Sequence, residues 1–561
     1  MFKASLFPGT ISRWVKQQAK SRPKISISFV TLAASLWLLL LDNWSFWNAL
    51  LRIVNGQGST LLIACLLVVF LLLFNMVLCL VCHPGTTKPI LIFLLIVTSV
   101  AAYFMNEYGT MIDKGMIRNV FATDPAEIRD LLSLKLLFYI LFLGVLPSAL
   151  TLWIRIDYHG LWGSILQKLG WMGGSALVVS GIIVLFYQDY ASISRNHREI
   201  RFLLTPSNYL TATYGVLKTK YAQPQQVHVI GEDARLRMTQ PIAGKKALTI
   251  VVVGETARAA NFSLGNYQRQ TNPLMAREDI VYYSNTTSCG TDTVVSLPCM
   301  FSNLGRAGYS ENKAAEQQNM LDVLKRAGIT VLWRDNNSGC KGVCDRVAFQ
   351  DVSSLSNPAL CRPDECYDEI LLENLQENLD RLDRDAVIVL HLKGSHGPAY
   401  YLRYPDQFGV FAPVCKTNLL EKCSREEIVN AYDNTLLYTD YVLDKIIALL
   451  KRNAERFDAS LIYMSDHGES LGENNLYLHG LPRMIAPDEQ IHIPMIVWLS
   501  KGALHRHGID RKCLQAHRND AYSHDNLFHS VLGLMDVQTK IYQPGLDLFH
   551  TCEASREVAK N

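Results

Sequence analysis

Ser460-Leu461-Ile462-Tyr463-Met464-Ser465-Asp466-His467-Gly468-Glu469 is the stretch that decides how the second half of this chain folds. Its first five residues form a run too short for a helix and read as a buried strand, which ends at once in a serine, a carboxylate and an imidazole. In an open parallel sheet the ligand crevice lies outside the carboxyl ends of the strands. The same ending recurs: residues 248–253 run into Gly254-Glu255-Thr256, 330–333 into Arg334-Asp335-Asn336-Asn337, and 386–392 toward Ser395-His396-Gly397. Further strand candidates at 280–284 and 494–499 alternate with helical stretches at 319–327, 425–451 and 525–535. From Lys246 onward the pattern is that of an α/β domain with a largely parallel sheet.

Four polar strand ends at one edge bring metal-type side chains together. Glu255, Asp466 and His467 offer two carboxylates and an imidazole, a set that suits zinc with a position left open. A hydroxyl-rich loop, Thr286-Thr287-Ser288-Cys289-Gly290-Thr291-Asp292-Thr293, runs into a helix start, where a phosphate is stabilised by the helix dipole. Taken alone, that loop is equally an N-cap rich in Ser and Thr.

The first third is different. Apolar stretches near 25–41, 60–82, 89–105, 132–154 and 171–187 predict five membrane spans, several flanked by Trp or Tyr. Lys3, Arg13, Lys16, Lys20, Arg22 and Lys24 precede the first with no acidic residue among them, which predicts a cytoplasmic N-terminus and an uncleaved signal anchor. Five crossings place everything after Tyr187 outside. The expected division is a membrane domain over 1–187, a linker with amphipathic helices over 188–240, and a periplasmic catalytic domain over 241–561. Formal net charge is +3, which gives no reason to invoke nucleic acid. Within the exterior loop after Glu107, Asp124-Pro125-Ala126-Glu127 has the form of a capped helix start.

Of 13 cysteines, Cys65, Cys79 and Cys82 lie in the second span and the other ten follow residue 288. Spacing suggests local bridges of Cys289 with Cys299, Cys340 with Cys344, Cys361 with Cys366 and Cys415 with Cys423, leaving Cys513 with Cys552, as in an oxidising compartment, although spacing does not prove connectivity. A zinc ribbon of Cys340, Cys344, Cys361 and Cys366 is the rival.

Gly254-Glu255-Thr256, Ser288-Cys289-Gly290-Thr291, Asp335-Asn336-Asn337-Ser338, His396-Gly397-Pro398, Ser465 to Ser470 and Leu478-His479-Gly480 together resemble the lipid A phosphoethanolamine transferases, chromosomal enzymes and mobile colistin-resistance proteins alike. The likeness extends to Ile117-Arg118-Asn119-Val120 and Thr123-Asp124, and Cys340 and Cys344 flanking Lys341 favour the chromosomal type. It implies an alkaline-phosphatase or sulfatase-like α/β/α catalytic domain on five transmembrane helices. It implies Thr291 as nucleophile, with Glu255, Asp466, His467 and the Thr291 oxygen on zinc, and His396 and His479 as catalytic residues that line the site, contact the phosphate, serve as base or hold further zinc. Asn337, Lys341 and Glu469 match substrate-contacting positions, and Asn119, Thr123 and Glu127 the membrane-side ones, where Pro125 departs from the family pattern.

The activity implied is transfer of phosphoethanolamine from phosphatidylethanolamine to a lipid A phosphate through a phospho-threonine, by a monomer in the bacterial inner membrane, with polymyxin resistance as the consequence. Transfer to a lipopolysaccharide core sugar, Kdo or heptose, is the alternative. No Cys/Ser-x-Pro-x-Arg motif surrounds Thr291, which argues against a sulfatase, and a metal store or sensor would not need the hydroxyl loop.

Overall fold

The computed structural model describes residues 22–54, 60–123, 125–158, 160–187, 190, 193, 197–220, 227–237, 244–352, 355, 357–362, 365–418 and 420–553. The chain divides into two compact units, one of residues 1–113 with 133–212, the other of 114–132 with 213–561.

The first unit is helical. α1 (Ile27–Leu41), α2 (Trp44–Val54), α3 (Thr60–Val81) and α4 (Thr87–Tyr108) lead to α5 (Lys114–Ala122) and α6 (Pro125–Leu131), which belong to the second unit; α7 (Leu134–Trp153) and α8 (Leu161–Leu185) return to the first. Four of these, α3, α4, α7 and most of α8, are each long and apolar enough to cross a membrane. On α8, Leu177, Val184 and Leu185 are at least 75% exposed, a surface suited to lipid and costly in water. The first expected span, 25–41, coincides with α1, which is only 15 residues long and meets α2 at a 64° bend, so among the described residues a fifth span is reached only if the pair counts as one. At the break Asn43 turns its amide back onto the Leu38 carbonyl, at 2.8 Å, and Trp47 Nε1 donates to the Leu39 carbonyl, satisfying acceptors that a continuing helix would have used. α7 contains a π-turn over Ile140–Val145, and its Gly144 lies so close to α4 that a Cβ there would meet Ser99 Oγ at 2.8 Å.

The second unit is built on eight strands: β1 (Lys246–Gly254), β2 (Ile280–Thr287), β3 (Thr330–Asp335), β4 (Ala348–Asp351), β5 (Ala386–His391), β6 (Phe457–Ser465), β7 (His492–Leu499) and β8 (Tyr522–Ser523). Their order is β8-β2-β7-β6-β1-β5-β3-β4, and only β7 runs antiparallel to its neighbours. Alternation along β1 shows why the sheet is buried on both faces. Ala247, Val251 and Val253 enter one apolar core, and Leu248, Ile250 and Val252 enter the other.

α9 (Thr293–Met300) and α11 (Asp525–Leu534) pack on the first face and α10 (Arg425–Arg452) on the second, giving the α/β/α layering. α10 starts at a reciprocal Ser424–Glu427 capping box, ends on Lys451 and Arg452, and buries Tyr432, Leu436, Leu443, Ile447 and Leu450 along one face.

The ten cysteines beyond residue 288 form five disulfides, in the pairs that spacing suggested. Cys289 is bonded to Cys299, Cys340 to Cys344, Cys361 to Cys366, Cys415 to Cys423 and Cys513 to Cys552. With their sulfurs bonded in pairs, Cys340, Cys344, Cys361 and Cys366 have no thiolates to offer, which removes the zinc ribbon. None of the ten is therefore a metal ligand; each serves as a covalent tie. Cys299 lies in the last turn of α9, so its bond to Cys289 fastens that helix to the loop preceding it. Cys423 stands immediately before the Ser424 cap, so its bond to Cys415 fixes where α10 begins.

Candidate active site

β6, β1, β5 and β3 are adjacent in the sheet, and their carboxyl ends carry the polar groups. Glu255 follows β1, Asp466 and His467 follow β6, His391 closes β5, and Asn337 lies two residues beyond β3. Ligand atoms of Glu255, Asp466 and His467 all lie within 4.8 Å of one another, and the three side chains are buried. His467 Nε2 is 3.2 Å from Glu255 Oε1 and 3.4 Å from Asp466 Oδ2. Asp466 Oδ1 accepts from the Thr256 and His467 amides, whereas buried Asp466 Oδ2 has no hydrogen-bond partner.

Two carboxylates sealed from water need positive charge between them. Asp466 is pushed up to about 6, by burial first and by the Glu255 charge second. Burial also acts to raise Glu255, but the hydrogen bond from His467 and the His467 charge hold it well below the usual carboxylate range. Against burial, Asp466 and Glu255 raise His467 to about 10. An orphaned carboxylate oxygen, two buried acids and one imidazole within reach of a single point fit a divalent cation, which would take over the charge otherwise demanded of His467.

The hydroxyl beside this triad is not the one expected. Thr291 Oγ1 donates to the Leu481 carbonyl at 2.6 Å, and the Thr291 carbonyl accepts from Gly480 N at 2.8 Å, so Thr291 staples its loop to the loop carrying His479. Thr293 Oγ1 instead lies 3.1 Å from each oxygen of Glu255 and 3.4 Å from His467 Nε2. The cause is local: Asp292 caps α9 by accepting from Val295 N at 3.0 Å, which makes Thr293 the first helical residue, at the positive end of the helix dipole. The geometry therefore places the Thr293 hydroxyl, and not that of Thr291, beside the two carboxylates and the imidazole. Asp292, a favoured capping type, hints in sequence at where α9 begins but not at which hydroxyl meets Glu255.

Other expected residues converge as well. Asn337 Nδ2 donates to Glu255 Oε2 at 2.8 Å. The His479 ring is centred 4.2 Å from that of His467 and 5.6 Å from that of His396, and His479 Nδ1 is 2.8 Å from Glu469 Oε2. Burial, and after it the Lys393 charge, pushes His396 well below the usual imidazole range. Asn119, on α5, comes within 3.9 Å of where a Cβ on Gly480 would stand. Lys341 Nζ is drawn onto its own loop by Ser338 O and Oγ, each at 2.8 Å, and the Thr123 hydroxyl is spent on the Asn119 carbonyl at 2.6 Å. Asp124 and the Glu127 side chain lie outside the described residues. His391 was missed: its Nδ1 is 2.9 Å from Asp335 Oδ2 and its Nε2 3.3 Å from Asn337 Nδ2, behind the triad.

A family model described as phosphoethanolamine transferase EptA/EptB matches residues 70–221, and the Sulfatase model matches 247–537. Phosphoethanolamine transferase EptA of Escherichia coli (strain K12) is 43% identical over 543 residues, 96% of this chain and 99% of that protein. The chain belongs to the EptA family of phosphoethanolamine transferases. Within it, phosphatidylethanolamine transferase Mcr-1 of Escherichia coli is 37% identical, covering 92% of this chain and 96% of its own. The integral membrane lipooligosaccharide phosphoethanolamine transferase A of Neisseria meningitidis superposes with a TM-score of 0.91 at 38% identity, over 95% of this chain and 99% of that one. The EptA-family match spans the apolar helices and the α/β/α unit together, so this chain is a membrane-embedded enzyme with a sulfatase-type catalytic domain.

Proposed function

We propose that the chain moves phosphoethanolamine from phosphatidylethanolamine to a phosphate of lipid A, with Thr293 carrying the group between the two lipids. The carrying observation is the Thr293 hydroxyl, 3.1 Å from both Glu255 oxygens at the head of α9. Glu255, Asp466 and His467 are the residues that would hold zinc, since two carboxylates and an imidazole match its preferences and leave an open position. When bound, that ion supplies Lewis-acid stabilisation of the charge developing on the phosphoryl oxygens.

Thr293 gives up its proton to solvent as the Oγ1–P bond forms and the bond from phosphorus to the glycerol oxygen breaks. His479, held by Glu469, gives a proton to that oxygen, and diacylglycerol leaves. In the second half an oxygen of the lipid A phosphate attacks phosphorus, His479 receives the acceptor's proton, and Thr293 Oγ1 departs and takes a proton from solvent. The α9 amides favour the anionic phosphoryl group throughout, and the two lipids use one site in turn, a ping-pong sequence.

Residues 1–187 act as the membrane part, 188–240 as the linker and 241–561 as the periplasmic catalytic part of a monomer in the inner membrane, with the N-terminus in the cytoplasm. Five disulfides in the second unit support export. The added amine lowers the negative charge of the cell surface, and polymyxin resistance follows. The test is lipid A mass spectrometry from cells expressing the chain. A phosphoethanolamine increment that disappears with Thr293→Ala supports the reading, and an increment confined to Kdo or heptose would move the acceptor to the core.

A further inference from the structure

Arg403 is 2% exposed, and a guanidinium so enclosed must have its charge and its donors answered by protein. Its three nitrogens reach three separate segments. Nε donates to the His396 carbonyl at 2.7 Å, Nη1 pairs with Glu365 beside the Cys361–Cys366 disulfide, and Nη2 pairs with Asp130 of α6 at 2.6 Å. Asn418 closes the same junction from a fourth segment, its Nδ2 donating to the Asp130 carbonyl and, at 2.9 Å, to that of Leu132. At the far end of the 114–132 segment, Arg118 pairs with Glu311 and Asn119 sits beside Gly480. The segment is thus fastened at both ends to the catalytic unit although its flanking residues belong to the helical unit.

We propose that Arg403 is a positioning residue: through Asp130 it locks the 114–132 segment, and through the His396 carbonyl it sets the loop that carries His396, so that the wall of the site that meets lipid and the catalytic edge keep one register. The Arg403 fork is specific to this task, because a lysine offers a point charge and cannot answer three acceptors in fixed directions. The Asp130 contact acts on how a lipid is received and leaves the chemistry at Thr293 untouched. This rests on the lipid-to-lipid reading above.

The test uses the full chain in detergent micelles with two donors, phosphatidylethanolamine and the water-soluble diester p-nitrophenyl phosphoethanolamine. Asp130→Ala is expected to raise KM for the lipid about tenfold while kcat/KM for the soluble diester stays within twofold, and Asp130→Glu to restore most of the loss. Amide exchange over 114–132 should quicken in Asp130→Ala and, independently, in Asn418→Ala, which leaves Arg403 intact. Equal losses on both donors, or no loss on either, would overturn the proposal. A wild-type protein that cleaves neither donor would instead overturn the phosphoethanolamine-transfer reading.

Discussion

Thr291→Val and Thr293→Val, near-isosteric exchanges two residues apart, are expected to fail in opposite ways. Valine at 291 deletes the hydrogen bond to the Leu481 carbonyl and leaves that acceptor without its partner beneath a residue only 6% exposed. An unanswered buried acceptor costs about 1–3 kcal/mol. At about 2–4 °C per kcal/mol for a sizeable domain, that is a fall in Tm of roughly 2–12 °C, with some loss of activity as the His479 loop loosens. Valine at 293 deletes contacts to Glu255, which keeps Thr256 Oγ1 and Asn337 Nδ2, each at 2.8 Å, so stability should change by less than about 1 kcal/mol. Its turnover should fall by about 10³-fold or more, as when a nucleophile is removed. The assay pairs thermal unfolding with intact-protein mass after exposure to phosphatidylethanolamine, the site of the adduct being located by fragmentation. An adduct on Thr291, or near-normal turnover by Thr293→Val, would refute Thr293 as the carrier.

Chelation should abolish turnover and lower Tm, with zinc restoring both, because Glu255 and Asp466 lose the charge that their burial demands; unchanged activity in exhaustively chelated protein would count against a metal centre. Gly468→Ala should cost both stability and activity, since a Cβ there would stand 2.0 Å from the Glu489 carbonyl and must displace the backbone next to His467; circular dichroism melts and turnover check it. His524 is lowered to about 4 by burial, with Nδ1 accepting from Cys289 N and Nε2 facing the Ser465 carbonyl. The unfolded chain therefore binds the extra proton first, and stability should fall as pH drops from about 6.5 toward 4, by about 2 kcal/mol between pH 6.5 and 5. Denaturation of His524→Gln beside wild type should show the difference shrinking on acidification; a constant difference would exclude His524.

Local pattern carried much of the architecture. β1, β5 and β6 were legible because runs such as Ile250 to Val253 are apolar on both faces and end in Gly254-Glu255, and α10 because Ser424 and Glu427 cap it. The α1–α2 bend was not legible from hydropathy, since Asp42 and Asn43 look like the polar end of a span and only Asn43's bond to Leu38 shows a turn back.

What the sequence determined by itself was the separation of an apolar helical part from an α/β part, disulfide partners close in the chain such as Cys289 with Cys299 and Cys415 with Cys423, and the triad of Glu255, Asp466 and His467, because each follows from periodicity, spacing or the end of a strand. Tertiary structure alone decided which hydroxyl lies beside that triad and where residues 114–132 belong. Thr291 and Thr293 share one loop and one chemistry, and what separates them is the Leu481 carbonyl 190 residues away for one and Glu255, 38 residues back, for the other. Asp130 meets Arg403 across 273 residues. Contacts of that range are set by how the sheet and its loops pack, which no local pattern encodes.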